Sequence, residues 1–121
     1  LVKAVGFLGS RTVKEFCLKP PRDFFEFGVT SQVYPVSGRR RQYFWQILKL
    51  RLFPKAFISW PDLAKNLFDY TLKNGGIYHL YGHSWEIEKH GMWFDLEEVL
   101  RYVSHRENIL YLTNSQTLEA L

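Results

Sequence analysis

Apolar positions along the 121 residues fall into short runs, separated by polar stretches and by Gly and Pro breaks. Val2–Leu8 is nearly continuous in apolar residues, enough for one short buried strand, and Gly9-Ser10-Arg11-Thr12 reads as the turn after it. Pro20-Pro21 stops regular structure, and Val29–Tyr34 reads as a second extended piece that ends at Pro35. Ser37-Gly38 makes a turn, and Gln42–Leu52 reads as a basic amphipathic helix ending before Pro54. Ser59-Trp60-Pro61-Asp62 is a helix start, because a hydroxyl can cap the first amides and Pro is tolerated in the first turn. Leu63, Leu67 and Tyr70 give that helix its apolar stripe, and Asn74-Gly75-Gly76 ends it. Ile77–Tyr81 is the next strand, broken by Gly82. Leu96, Val99, Leu100 and Val103 follow the i, i+3, i+4, i+7 spacing of an amphipathic helix, with Asp95, Glu97 and Glu98 at its positive end. Ile109–Thr113 is a last strand, and Ser115 is a cap for a short final helix. Strands alternating with helices predict an α/β layer with at least partly parallel strands, whose sites gather at the strands' carboxyl ends.

Composition narrows the class. With 46% hydrophobic and 17% aromatic residues, positions 1–121 are read as one domain able to bury a core, and disorder is excluded. A single cysteine, Cys17, excludes an internal disulfide framework. No run approaches the roughly 18–20 apolar residues of a membrane span, and charge begins at Lys3 with no export signal in view, so a cytoplasmic protein is expected.

Charge is uneven. Residues 1–85 hold 13 Lys/Arg against 5 Asp/Glu, whereas residues 86–121 hold 3 against 7. Arg39, Arg40, Arg41, Lys49, Arg51 and Lys55 fall in an acid-free stretch, interleaved with Tyr43, Phe44, Trp45, Phe53 and Phe57. Cations and rings together suit nucleic acid. They equally suit a solvated face around an aromatic core, or a face for an acidic partner. The stretch matches no standard nucleic-acid module, which favours the latter two.

Candidate chemistry concentrates in Ile77–His90, which holds three of the four histidines together with Glu86 and Glu88. A histidine beyond a strand's carboxyl end can move a proton near neutral pH, and a carboxylate can orient it. His79 and His83 have the spacing of two metal ligands on a helix, but on a strand they stand about 13 Å apart. The glycines around them argue for the strand, so a metal site from this pair is not expected. His79 is read as a histidine hydrogen-bonded within the sheet. For His83 a functional and a purely structural reading stand side by side. Trp85 is either core or an apolar wall beside His83, and Cys17 is read as structural.

The stretch from Gly75 to Glu88, with His83-Ser84-Trp85-Glu86-Ile87 after a strand, is similar to the last conserved motif of polysaccharide deacetylases of the nodulation-protein type, carbohydrate esterase family 4. Trp60, Leu63, Ala64, Leu67, Phe68 and Asp69 resemble the preceding helix, and the segments around Trp93–Leu100 and Tyr111–Asn114 continue the likeness. Ser10-Arg11-Thr12-Val13, followed later by Val29–Pro35, resembles the family's arginine-bearing segment. The resemblance covers most of the chain. It implies a distorted (β/α) barrel that removes acetyl groups from sugar polymers with a divalent metal, often zinc. It also implies that His83 is the acid that protonates the leaving group and that Arg11 orients a catalytic aspartate. Trp85 would form part of the acetyl-binding wall, with Tyr81 and Glu86 beside the substrate.

The family's metal-binding motifs lie upstream of the arginine segment, and only ten residues precede Arg11 here; no two aspartates are adjacent anywhere. The resemblance is therefore to the carboxyl-terminal half. The fold expected is α/β, a partial (β/α) barrel of about four strands alternating with helices. Its open edge calls for a second copy of the chain or a separately encoded amino-terminal half. No cofactor is expected on this chain, and zinc only if a partner supplies the ligands. The competing reading is a non-catalytic assembly module whose basic, aromatic face meets an acidic partner; nucleic acid and membrane are disfavoured.

Overall fold

The computed structural model describes residues 2–35, 40–52 and 59–121, with only the backbone of Arg40. The acid-free basic stretch therefore lies partly outside the described residues, including Arg39 and Lys55. In chain order the elements are β1 (Ser31–Gln32), α1 (Arg40–Lys49), α2 (Trp60–Asn74), β2 (Leu80–Tyr81), α3 (Ser84–Lys89), α4 (Trp93–Val103) and α5 (Asn114–Ala120). The fold is mixed helix and strand, with β1 and β2 parallel in the register Ser31 to Leu80 and Gln32 to Tyr81. Among the described residues these are the only two strands, and they close no barrel. Among the described residues no helix is long and apolar enough to cross a membrane.

Helix α2 forms as its sequence dictates. Ser59 Oγ accepts the Asp62 amide at 3.3 Å and donates to Asp62 Oδ2 at 2.6 Å, and Pro61 occupies the first turn. Trp60, Leu63, Ala64, Leu67, Phe68 and Thr71 are buried along one face, and Gly75, at φ 71°, ends the helix in a region that favours glycine. That face packs on α4, where Val99 is fully buried, and on β1. Polar contacts tie the rims: Lys65 pairs with Glu98, and Tyr102 Oη donates to Asp69 Oδ2 at 2.7 Å. Ile47 and Tyr43 of α1, Val33, and Ile87 and Met92 around α3 complete one core.

Strand pairing extends beyond β1 and β2 as single hydrogen bonds along residues 10–18. Thr12 N donates to Phe27 O, Val29 N to Lys14 O and Cys17 N to Val29 O, at 2.7, 2.8 and 3.0 Å. Gly28 permits this approach, since a Cβ there would overlap Cys17 Sγ and the Lys14 carbonyl. One buried side chain then links three segments. Thr30 N donates to His79 O at 2.8 Å, and Thr30 Oγ1 accepts from His79 N at 2.9 Å. The same hydroxyl directs its proton to Ile77 O at 3.0 Å, with Cys17 O at 3.3 Å.

Four expectations are corrected. Val2–Leu8 is not a strand: Lys3–Val5 is a 3-10 turn, and Val5, Phe7 and Leu8 are exposed. Pairing begins instead at Gly9–Thr12, the segment read as a turn, where Arg11 bridges in parallel to Phe27. Ile109–Thr113 is not a strand, because its backbone pairs with no second strand among the described residues, and Thr113 instead leads into the last helix, its carbonyl accepting from Thr117 N at 2.9 Å. Tyr111 Oη ties it to the end of α4 by donating to Val103 O at 2.7 Å. The last helix is capped by Thr113, not Ser115: Thr113 Oγ1 accepts the Gln116 amide while the Gln116 side chain returns to the Thr113 amide. Helix α3 covers residues to which the sequence pattern assigns no element.

Replacing Leu67, fully buried between α2 and its neighbours, by Ala is expected to cost about 2–5 kcal/mol in chemical denaturation. Thr30→Val, which strands the His79 amide and the Ile77 carbonyl, is expected to cost about 1–3 kcal/mol, with Thr30→Ser recovering most of it. A Thr30→Val protein as stable as the wild type would show that this hydroxyl does not hold the segments together.

Candidate functional site

The parallel strand β2 delivers Tyr81 to the site, and the chain passes through Gly82 into α3. His83 occupies the N-cap position of α3 but makes no side-chain bond to the helix amides, so its ring is available for other contacts. Tyr81 Oη and His83 Nε2 lie 2.6 Å apart, with their rings edge to face at 5.0 Å. Trp85, on the first turn of α3, stacks on His83 at 5.9 Å and 28° and is 61% exposed. On the other side of Tyr81, the Arg11 guanidinium lies 5.4 Å from the ring centroid.

Arg11 is also pinned by His79, whose Nε2 is 3.0 Å from Arg11 Nη1. A guanidinium only donates, so Nε2 must offer a lone pair and His79 is neutral in this pairing. The electrostatics agree. Burial pushes the His79 pKa below its ordinary value, the Arg11 charge pushes the same way, and a hydrogen bond to the Gly28 backbone opposes them. His79 in turn is placed by its backbone bonds to Thr30. The result is a row of Arg11, Tyr81, His83 and Trp85 along the outer face, braced from behind by His79. Next to Arg11 and His79 opens a cavity of about 210 Å³ with walls of Phe24, Phe27, Ile77, Leu112 and Leu118.

Four of the residues singled out in the sequence (Arg11, Tyr81, His83 and Trp85) thus come together. Glu86 does not join the row: it is buried, and Gln32 Nε2 donates to its Oε2 at 3.4 Å. The reading of His79 as a sheet histidine covers its backbone but misses its ring, which braces Arg11. The signal was present, because His79 and Tyr81 are two residues apart and so share one face of an extended segment. His90 contacts Tyr34 edge to face at 5.5 Å, and Cys17 is half-buried with Sγ 3.8 Å from Glu15 O.

Among the described residues no three His, Cys, Asp or Glu side chains gather as a ligand set for a metal ion. The described residues therefore offer no ligand set for the divalent metal that the deacetylase resemblance implies. The row can do three things chemically: hold an anion at Arg11, stack a ring on Trp85 or Tyr81, and exchange a proton at His83. Compared with models of known protein families, with curated proteins and with solved structures, the chain matches none.

His79 is expected to titrate below 6.5 in the folded protein. The unfolded chain then takes up this proton first, so the associated stability is complete above the unfolded value and is lost as the pH falls from there toward the folded value. A proton NMR titration of the His79 ring is expected to give a midpoint below 6.5, raised but still below 6.5 in Arg11→Gln, since burial persists. A wild-type midpoint at or above 6.5 would contradict the Arg11–His79 pairing.

Proposed function

We propose that this chain is the sugar-binding and proton-donating part of a polysaccharide deacetylase-like hydrolase, acting on acetyl groups carried by a sugar polymer. The observation that carries this reading is the row at the carboxyl end of β2, where the Arg11 guanidinium lies over the Tyr81 ring and the rings of Tyr81, His83 and Trp85 follow in succession. The likeness of Gly75–Glu88 to the last motif of that family agrees with it. In this reading Trp85 stacks on a sugar ring, and the apolar cavity beside Arg11 takes an acetyl methyl. Tyr81 holds His83 Nε2, leaving Nδ1 to give a proton to the departing amine or alcohol as its bond to the acyl carbon breaks.

The attacking water must be activated by groups outside the described residues, since no ligand set gathers among them. The proposal therefore includes a partner that completes a barrel: a second copy, or an amino-terminal half. A large groove between α2, residues 75–78 and residues 108–113 supports it. Its walls include Phe68, Leu72, Tyr78 and Leu112, and Leu110 on its rim is 78% exposed.

Tryptophan fluorescence should report binding of an N-acetylglucosamine hexamer, weakened about tenfold or more in Trp85→Ala, because one base- or sugar-sized stack contributes about 1–3 kcal/mol. Where the assembled enzyme releases acetate from that oligomer, His83→Ala is expected to lower the rate by about 10²–10⁴ with little change in binding. Neither binding nor acetate release, in a protein shown by sedimentation to be folded, would overturn the reading.

A further inference from the structure

Arg11 carries an uncompensated charge. Among the described residues no carboxylate lies within ion-pair distance of its guanidinium, although Lys65 and Arg101 each have one. It is nonetheless held in place, by a hydrogen bond to a neutral His79 and by the face of Tyr81. An exposed arginine ordinarily loses side-chain entropy when it captures an anion. Here that entropy is already lost, so the remaining donors form a preset fork for a carboxylate. The aromatic row beginning at Tyr81 and ending at Trp85 starts from that same fork.

We propose that Arg11 and the Tyr81–His83–Trp85 row together select a sugar polymer bearing carboxylates, the acid of one unit forking onto Arg11 while a neighbouring ring lies on Trp85. The proposal rests on the sugar-binding reading above, gives Arg11 a substrate carboxylate in place of the aspartate that the family resemblance implies, since no carboxylate pairs with it among the described residues, and narrows the substrate class to acidic polysaccharide. Charge density decides against nucleic acid. A nucleic-acid strand brings one phosphate per nucleotide and calls for several cations along its path. This row has one fixed cation, because His79 accepts from Arg11 and so is uncharged in the pairing. One carboxylate set among neutral hydroxyls matches it.

The test compares three probes on the folded protein by titration calorimetry: a hyaluronan hexasaccharide, which carries both N-acetyl groups and carboxylates; a neutral N-acetylglucosamine hexamer; and an oligothymidylate. The acidic hexasaccharide is expected to bind about ten- to a hundredfold more tightly than the neutral hexamer, the range for a charge-assisted bond. Arg11→Gln should abolish that preference, Arg11→Lys should restore part of it, and Trp85→Ala should weaken both sugars alike. In the wild type, raising salt should weaken the acidic probe and leave the neutral one unchanged, which tests the charge without relying on a variant. Equal binding of the two sugars overturns the acidic preference while leaving the sugar reading intact. Binding of neither sugar overturns both. Oligothymidylate binding that depends on Arg11, without sugar binding, assigns the row to nucleic acid instead.

Discussion

The hydroxyl of Thr30 is the constraint on which the rest of the structure depends. It is fully buried and sits where three chain segments meet, so each of its bonds forms without competition from water. Strands β1 and β2 pair over two residues each, too short a ladder to fix a register alone. Thr30 adds a side-chain acceptor for the His79 amide and a donor for the Ile77 carbonyl, which locks residues 77–79 to β1. Everything at the site follows from that lock: His79 is oriented, its ring braces Arg11, and β2 delivers Tyr81 and then His83.

The helices supply the rigidity that so small a sheet lacks. Helix α2 offers a continuous apolar face from Trp60 to Thr71, and α4 and β1 bury it from two directions. The core is therefore helix-dominated, with β1 buried against α2 and β2 half-buried at the margin. That places the Arg11–Trp85 row at the surface, where a polymer can reach it, rather than inside a closed pocket. The same economy leaves Leu110 and its neighbours exposed along a groove, the apolar counterpart of the polar row.

The two histidines of the row's neighbourhood sit in different surroundings. His79 is half-buried beside a cation, an environment that disfavours its protonated form. His83, four residues further along the chain, is exposed and contacts Tyr81 and Trp85. One histidine thus serves as a fixed acceptor that positions Arg11, and the other keeps an accessible ring for chemistry.

How much was legible in the sequence follows from the range of the forces involved. Helices α2 and α4 were readable because their signals are local: Ser59 and Pro61 at the start, Gly75 at the end, and apolar residues at helical spacing between. Tyr81, His83 and Trp85 were readable as neighbours because they lie within five residues of one another. Glu86 lies apart from them because one turn of α3, itself unread, carries it into the interior toward Gln32. Val2–Leu8 and Ile109–Thr113 have strand-like composition, but a strand exists only when a second backbone meets its amides, and residue types cannot report that meeting. The pairing of Arg11 with His79 spans 68 residues of chain. The sequence by itself determined the helices and the chemical groups; only the tertiary structure decided which of those groups meet, because hydrogen bonds between distant segments depend on packing that no local pattern encodes.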